Sequence, residues 1–432
     1  MGCTRSNRGV FKYAAETTYG DGGGAVPTYY TARLSEPPDT GDLGVTAQQL
    51  TDVMATDLEG DIIRVPTPSS MGIKRVLRAL QTVVPATEYA VATQFVGHLD
   101  SDLIAQTLGG FEHGGFGTVT GAASTTTSVV LDTGGGATFD GGSIIRVVST
   151  TGRIAFGLVK SVSTDTLTLH WALPFIPATG SLCLGGRLLF KSEPAGSFGA
   201  VWEGENLDDV RRGIGAQINS LKLTGEENTL MTLEASLFIA KYDAMVSGTD
   251  HGGIVDAAES FPTPIQARDG GLWIVPYTVG TNTYGTPIRV QGGIELDLGV
   301  EAAPVTGVHG DAPNGVAGQC VIRRKARLTC SAPVCANYVT GQSPAAGEGN
   351  YWQSAFAAGS KFGVIYWAGS GYGNVCCVIP CASLVDEPKQ ADKDGRAVIP
   401  LTFKEEVFAG DSGAGAPKNS TLRILFPAGT VA

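Results

Sequence analysis

Two stretches of the chain alternate between apolar and polar residues with a period of two, which constrains them to form half-buried β-strands. In 218–242 the alternating apolar set is Leu233, Ala235, Leu237 and Ile239, and the opposite set is Thr232, Glu234, Ser236 and Phe238. In 383–406 the sets are Ile399, Leu401 and Phe403 against Val398, Pro400, Thr402 and Lys404. A polar Gly-Glu-Glu-Asn turn joins the strands of the first stretch. The shared layout predicts one β-hairpin unit used twice.

Composition favours a mainly β fold. The chain has 432 residues, 60 of them glycine, and charged residues make up 16%. Abundant glycine suits many strands joined by tight turns, whereas helix-rich enzymes usually carry more charge. The length exceeds one ordinary core and predicts two or three domains.

Strand spacing and loop composition divide the chain into four segments. Short strands separated by Gly, Ser, Thr and Asp turns fill 118–186, which predicts a small inserted β domain. Residues 1–117 together with 187–245 then form a first domain, 246–271 a Gly/Ala/Pro-rich linker, and 272–432 a second domain.

Two short helices are predicted, one in each half. The first has Asp100 or Ser101 as its N-cap and stops at Gly109-Gly110. The second lies in 351–359 and carries Trp352, Ala355 and Phe356. The sequence offers no transmembrane helix, because no run of 18 apolar residues occurs.

The charge balance excludes a general nucleic-acid-binding protein. The net charge is −11, whereas such a protein needs a basic surface to neutralise phosphates. A solvated acidic surface and an acidic channel through which a polyanion slides both remain open.

Motifs for catalysis, cofactors and metals are weak. The sequence GDSGAG at 410–415 is similar to a serine-protease nucleophile loop, but no histidine has a matching context, and we expect a surface turn. The chain has neither a phosphate-binding loop nor histidines at metal-ligand spacing. We therefore expect no enzymatic activity, no cofactor and no metal. The cysteines, six of which lie between Cys320 and Cys381, are expected to be buried and reduced.

Two charged clusters could form pairs within a subunit or across a subunit interface. The first comprises Asp208, Asp209, Arg211 and Arg212, whose spacing also suits pairs on one helix. The second, RRKAR at 323–327, includes Arg323 and Arg324 and suits a basic strand facing acidic neighbours on another subunit.

Two segments resemble a known family. The opening FKYAAETTYGD and the block GIGAQINSLKLTGEENTLMTLEASLFIAKY resemble the tail-tube proteins of phages with long, non-contractile tails, and the likeness covers about half of the chain. The resemblance implies two tandem tube-like β domains, with three chains forming a pseudo-hexameric ring.

Stacked rings would form a virion tail tube that conducts DNA during ejection, assembled in the host cytoplasm. Implied partners are further copies of the chain, a tape measure protein, and tail terminator and tip proteins, with no membrane contact. DNA would pass without specific binding. Candidates for the lumen are Thr232, Glu234, Ser236, Thr402 and Lys404. The alternative is a host-surface or glycan-binding tail or capsid-decoration protein that binds through 118–186.

Overall fold

The computed structural model describes most of the chain. The described residues are 9–15, 28–32, 34–35, 39–40, 45–49, 62–66, 69–79, 95–120, 123–192, 198–204, 210–226, 229–244, 255–258, 263–267, 270–290, 293–306, 316–333, 349–369, 373–393, 395–413 and 415–428. They contain two α-helices, α1 (Leu99–Leu108) and α2 (Gly349–Ala357), and a 3-10 turn at Gly136–Thr138. The predicted mainly β fold with short helices is confirmed.

The strands are numbered along the chain. The earlier ones are β1 (Gly9–Ala15), β2 (Thr28–Ala32), β3 (Asp39–Thr40), β4 (Val45–Gln49), β5 (Ile62–Pro66), β6 (Ser69–Val76), β7 (Arg78–Ala79), β8 (Gly109–His113), β9 (Phe116–Thr118), β10 (Ser128–Val130), β11 (Ile144–Val148), β12 (Ile154–Ser163), β13 (Thr166–Leu169), β14 (Leu182–Leu184), β15 (Gly186–Lys191), β16 (Phe198–Gly204), β17 (Val210–Gly225), β18 (Thr232–Ile239) and β19 (Lys241–Ala244). The later ones are β20 (Val255–Ala258), β21 (Thr263–Pro264), β22 (Gly271–Thr278), β23 (Thr283–Tyr284), β24 (Ile288–Val290), β25 (Ile294–Asp297), β26 (Val300–Thr306), β27 (Val316–Arg324), β28 (Arg327–Pro333), β29 (Lys361–Ala368), β30 (Val375–Leu384), β31 (Ala391–Lys393), β32 (Arg396–Glu405) and β33 (Arg423–Pro427).

Four strand assemblies organise the described residues, one of which has the order β19-β17-β16-β1-β2-β20 and includes the first part of β17. The front sheet has the antiparallel order β3-β6-β18-β17-β25-β28-β32-β31. The middle sheet has the antiparallel order β24-β22-β29-β30-β33-β15-β8. The small barrel has the order β9-β14-β11-β12-β13-β10, and the bridge between Val119 and Leu131 joins its first and last strands.

The two halves of the front sheet repeat one topology. The first half makes β3, the hairpin β4–β5, β6, α1 and the hairpin β17–β18. The second half makes β25, the hairpin β26–β27, β28, α2 and the hairpin β31–β32. Each half contributes four strands to the front sheet, which in chain order are β3, β6, β17 and β18 in the first half and β25, β28, β31 and β32 in the second. Across the sheet, both halves place these strands in the order first, second, fourth and third. The small barrel, the adjacent strands β8 and β15, and β16 lie between α1 and β17, and only the barrel forms a separate sheet.

Burial explains the alternation in the sequence. On β18, Leu233, Leu237 and Ile239 are fully buried in the main core, whereas Glu234 is exposed. The same core contains Leu401 and Phe403 of β32 and the helix residues Leu103 and Trp352. The front sheet therefore covers the core with one face and leaves its polar face outside.

The middle sheet is buried on both faces, which explains the continuous apolar run VCCVIP in β30. Val375 and Cys377 belong to the main core, whereas Cys376 and Val378 belong to a second core. That second core also contains barrel residues, Ile144, Phe156, Leu158 and Trp171. Strands covered on both sides read as unbroken apolar segments because neither face meets water.

The first helix begins two or three residues earlier than the N-cap prediction placed it. Its N-cap residue is His98, and Asp100 and Ser101 lie inside the first turn, so that prediction is wrong. The reason is tertiary: Asp100 is recruited by Arg75 of β6, and the Ser101 hydroxyl donates to the carbonyl of His98 at 3.1 Å. The predicted end is confirmed, because Gly109 adopts φ 90° in the left-handed region.

Buried ion pairs attach this helix to the strands around it. Arg75 Nε lies 2.7 Å from Asp100 Oδ1, and both side chains are fully buried. Arg187 Nη1 of β15 donates to Asp102 Oδ1 at 2.6 Å, and the Tyr13 hydroxyl donates to Asp102 Oδ2 at 3.1 Å. Carboxylates in a first turn also favour the positive end of the helix dipole.

Other short-range predictions have mixed outcomes. The strand predicted at 88–97 is wrong for residues 95–97, which form a turn, and 88–94 lie outside the described residues. The helix predicted at 351–359 is observed at Gly349–Ala357 with Trp352 and Ala355 buried. Among the described residues, no helix has the length and apolarity needed to cross a membrane.

We predict that Arg75→Met destabilises the protein far more than Lys74→Met, although the residues are neighbours on β6. Removing Arg75 leaves Asp100 charged and buried, which costs about 3–5 kcal/mol. Lys74 pairs with Glu234 at 2.9 Å where both side chains are nearly half exposed, so its loss costs about 0–1 kcal/mol. Urea unfolding measures both, and equal losses would contradict the assignment.

We also predict that His98 makes the fold sensitive to acid. Burial lowers the pKa of His98 to about 3, and its Nε2 donates to the carbonyl of Arg78 at 3.1 Å. Since the unfolded chain has a histidine pKa near 6.5, it binds the extra proton first, and stability falls as pH drops from about 6.5 toward 3.

His98→Gln keeps a donor for the Arg78 carbonyl and removes the titrating group. Its unfolding free energy should depend less steeply on pH in that window, by up to about 1.4 kcal/mol per pH unit. If the unfolding free energies of the variant and the wild-type protein change with pH at the same slope, His98 does not contribute to the acid sensitivity.

Candidate functional site

The exposed face of the front sheet is its polar face, built from rows of residues that are opposite one another across six strands. One row, from β6 to β32, is Lys74, Glu234, Lys222, Asp297, Arg327 and Lys404. The next row is Val76, Thr232, Thr224, Glu295, Thr329 and Thr402. We call the first set the charged row and the second set the threonine row.

The five residues predicted to line a lumen are brought onto this one face. Thr232 and Thr402 lie in the threonine row, and Glu234 and Lys404 lie in the charged row. Ser236 lies opposite Ser220 of β17. Candidates from both halves of the chain are therefore parts of the same surface.

The charges on this face alternate and pair. Lys74 Nζ lies 2.9 Å from Glu234, and Lys222 Nζ donates to Glu295 at 3.0 Å. The bond to Glu295 raises the pKa of Lys222. Arg327 lies opposite Asp297. Cations therefore lie among the acids, so the face of these strands is not uniformly acidic.

Lys404 at the end of the charged row is also near an acid. It lies opposite Ser383 of β30, whose hydroxyl donates to Glu406 at 2.7 Å. That bond lowers the pKa of Glu406, burial opposes the change in part, and the charges of Lys361 and Lys404 lower it further. Lys74 and Lys222 thus form ion pairs on this face, and Arg327 lies opposite Asp297. The charge of Lys404 acts on Glu406, which also pairs with Lys361 at 3.5 Å.

Lys74, Lys222 and Arg327 also belong to this face, although they were not predicted from the sequence. Lys222 and Glu234 are separated by one turn, so their pairing follows from the hairpin pattern. Arg327 was placed in a basic cluster, because its neighbours on β25 and β32 are distant in sequence and the register is not visible in a single chain.

The residues predicted at a subunit interface lie in several places. Asp208 and Asp209 lie outside the described residues. Arg211 and Arg212 lie on β17, opposite Trp202 and Val201 of β16. Arg323 pairs with Glu301 at 2.8 Å on the hairpin β26–β27, where both side chains are more than half exposed.

Arg324 is engaged within the chain. Its guanidinium donates to the carbonyls of Thr107 and Leu108 at the end of α1, at 3.3 and 2.5 Å, and to the carbonyl of Ser192. A cation at the end of a helix satisfies carbonyls that lack partners inside the helix. These contacts stabilise α1 from the second half of the chain.

The GDSGAG segment begins in a buried junction, so the prediction of a surface turn is wrong for Asp411, whereas Ser412, Gly413 and Gly415 are exposed. The Asp411 carboxylate contacts His170 Nε2 at 2.8 Å, accepts the backbone N–H of Asn419 at 2.7 Å, and pairs with Arg423 of β33. Tyr284 and Phe408 pack edge-on against the His170 ring. Because His170 follows β13, this cluster fastens the small barrel to the middle sheet.

The electrostatics of the junction suit a neutral histidine beside an ionised carboxylate. Burial lowers the pKa of His170, and the bond to Asp411 only partly opposes it. Burial alone would raise the pKa of Asp411, but the hydrogen bond from His170 and the charge of Arg423 outweigh it and lower the pKa. The exposed Ser412 donates its hydroxyl to the carbonyl of Lys160 at 3.3 Å, an arrangement that anchors a loop.

Among the described residues, cysteine burial agrees with the prediction at five positions and contradicts it at one, and Cys3 and Cys335 lie outside those residues. The buried free thiols are Cys183, Cys330, Cys376, Cys377 and Cys381. Burial raises the pKa of Cys330 and of Cys377 to about 12. Cys320 is exposed on β27 because it lies on a two-stranded hairpin rather than in a covered sheet. Among the described residues, no group of three or more His, Cys, Asp or Glu side chains is placed to hold a metal ion.

Comparison with known proteins gives no family assignment: no protein-family model matches the chain, and no curated protein sequence matches it.

We predict that Asp411→Asn destabilises the protein by about 3–5 kcal/mol, because it leaves Arg423 charged and buried without its carboxylate. Ser412→Ala is the matched control, since an exposed hydroxyl bonded to one carbonyl contributes about 0.5–1.5 kcal/mol at most. Chemical unfolding measures the difference. A peptidase activity that disappears in Ser412→Ala would instead identify this serine as a nucleophile.

Proposed function

We propose that the protein is a structural subunit of a phage tail tube, in which three copies close into a ring and rings stack into a conduit for DNA. It acts without enzymatic chemistry and assembles in the host cytoplasm into a virion. The observation that carries the proposal is the repeated strand order of the front sheet together with the pairing of β17 and β25, which joins the two repeats edge to edge.

The internal junction supplies a template for a junction between copies. Inside the chain, the third strand of the first repeat, β17, pairs with the first strand of the second repeat, β25, over four residue pairs. The third strand of the second repeat is β31, and the first strand of the first repeat is β3. The same contact between copies would therefore pair β31 of one subunit with β3 of the next.

Such a contact is head-to-tail, and a head-to-tail contact either closes into a ring or continues as a filament. Closure pairs the open edges of the front sheets, which removes the edge groups that promote uncontrolled association. Three chains with two repeats each then give six similar units around an axis. The polar face of the front sheet is the surface suited to line the lumen, because its opposite face is the core.

Stacked rings would also require contacts along the axis. The hairpin β26–β27 carries Val305 and Ile322 with large exposed fractions, 44% and 63%. The corresponding hairpin of the first repeat is β4–β5. Tape measure, terminator and tip proteins would meet the lumen and the ends of the resulting tube.

Electron microscopy of the purified full-length chain tests the assembly directly. The expected images are rings or tubes with threefold symmetry and six similar units. Particles that stay monomeric at high concentration and under all salt conditions would contradict the proposal.

Disulfide cross-linking tests the seam. We expect a cysteine at Asp39 or Thr40, combined with a cysteine at Asp392 or Lys393, to produce covalent species that end at a closed trimer, since cysteines across a strand pair lie within bonding distance. Cys320→Ser removes the exposed native thiol from the background. The matched control joins Thr40→Cys with Val279→Cys, an exposed position on a turn of the middle sheet. Equal cross-linking in both sets would exclude the β31–β3 seam.

An adsorption or decoration role is the second candidate, and one observation favours it. The barrel exposes Ile176 beside Phe175, and Arg153 stacks on the Phe175 ring at 4.9 Å. Deleting 118–186 would not test this role cleanly, because it removes four residues of the second core. Ile176→Asp changes the outer surface alone: lost adsorption with intact tubes would support the second role in addition to the first.

A further inference from the structure

The charged row differs from both surfaces that the sequence allowed, a generally solvated acidic surface and an acidic channel. Its cations are Lys74, Lys222, Arg327 and Lys404. The acids beside them are Glu234, Asp297, Glu295 and, just after β32, Glu406. Four cations and four carboxylates therefore lie near one another along this part of the face, with Lys361 as a further cation beside Glu406, although the whole chain carries a net charge of −11.

The pairing is a property of the strand register. Successive members of the charged row come from adjacent strands, and opposite residues in an antiparallel pair have Cβ atoms about 5 Å apart. Lys222 lies between two acid-bearing strands, with Glu234 opposite on one side and Asp297 opposite on the other. A rotation of the Lys222 side chain therefore exchanges one carboxylate partner for another.

We propose that this polar face is non-adhesive to a duplex polyanion because its cations are neutralised by acids on adjacent strands, and not because the face is uniformly negative. The inference rests on the proposed function, which makes the face a lumen. A uniformly acidic wall would repel the phosphates. A basic wall would bind the phosphates and release the counterions of the DNA. A matched wall does neither, so the duplex keeps its own counterions and slides.

The acids are the essential half of this arrangement. Without them, four cations would face the phosphates in a row, which resembles the electrostatic footprint of a DNA-binding protein. Exposed ion pairs contribute little to stability, about 0–1 kcal/mol each, so the acids can be removed without unfolding the chain.

The test is DNA binding by the soluble full-length protein in the triple variant Glu234→Gln, Glu295→Gln and Asp297→Asn. The matched control is Glu301→Gln, Asp386→Asn and Glu387→Gln, which changes the net charge equally at exposed positions away from the polar face. Fluorescence anisotropy with a labelled duplex at several salt concentrations measures affinity and its salt dependence.

We expect the face variant to bind at least tenfold more tightly than the control at low salt. With three freed cations, Lys74, Lys222 and Arg327, its logarithmic salt slope should approach about −2.7, since each phosphate contact contributes about −0.9. Wild-type protein and control should bind weakly with a shallow slope. Equal binding by the two variants, or strong binding by wild-type protein, would overturn the inference.

This assay is independent of ring formation. Rings in the microscope with equal DNA binding by both variants would refute only the neutralised face. The expected binding difference in a protein that forms no rings would refute the proposed function and leave the charge pairing as a surface property.

Discussion

The structure depends on one strand contact, the antiparallel pairing of β17 with β25. It joins the two halves of the chain into a continuous front sheet, with Leu223 opposite Leu296 on the core face and Lys222 opposite Asp297 on the polar face. Without it, each half would expose a strand edge and a share of the common core. The same four residue pairs thus close a core, align two rows of polar residues and leave the outer strands β3 and β31 at the ends of the sheet.

Buried charges hold the other layers against this sheet. In the first turn of α1, Asp100 pairs with Arg75 of β6 and Asp102 pairs with Arg187 of β15, so the helix is fixed to both strands. The Asp411 cluster does the same for the small barrel. Such pairs cost desolvation and are weak evidence for stability, but breaking one is expensive. Their role here is to specify which element lies where.

Local patterns predicted much of this arrangement. Alternation at 232–239 and 398–404 predicted the core faces of β18 and β32, because successive side chains of a half-buried strand point alternately to the core and to solvent. The stop of α1 at Gly109 was also legible, since a left-handed position favours glycine. By contrast, the start of α1 and the burial of Asp411 depend on Arg75 and Arg423, which are local to neither segment. Likewise, the charged row joins residues separated by up to 330 positions, and a single sequence does not encode register at that distance in readable form.

The position of the small barrel has a geometric consequence. The barrel is inserted in the first repeat between α1 and β17, whereas the second repeat passes directly through β29 and β30 at the corresponding place. On the proposed ring, the inner wall would present six near-equivalent units, but the small barrel would project from the outside of every second unit. The bore and the exterior would then have different rotational symmetries. A protein that binds the outside of the tube would find three equivalent binding sites in each ring, whereas a molecule that moves along the bore would meet six similar units.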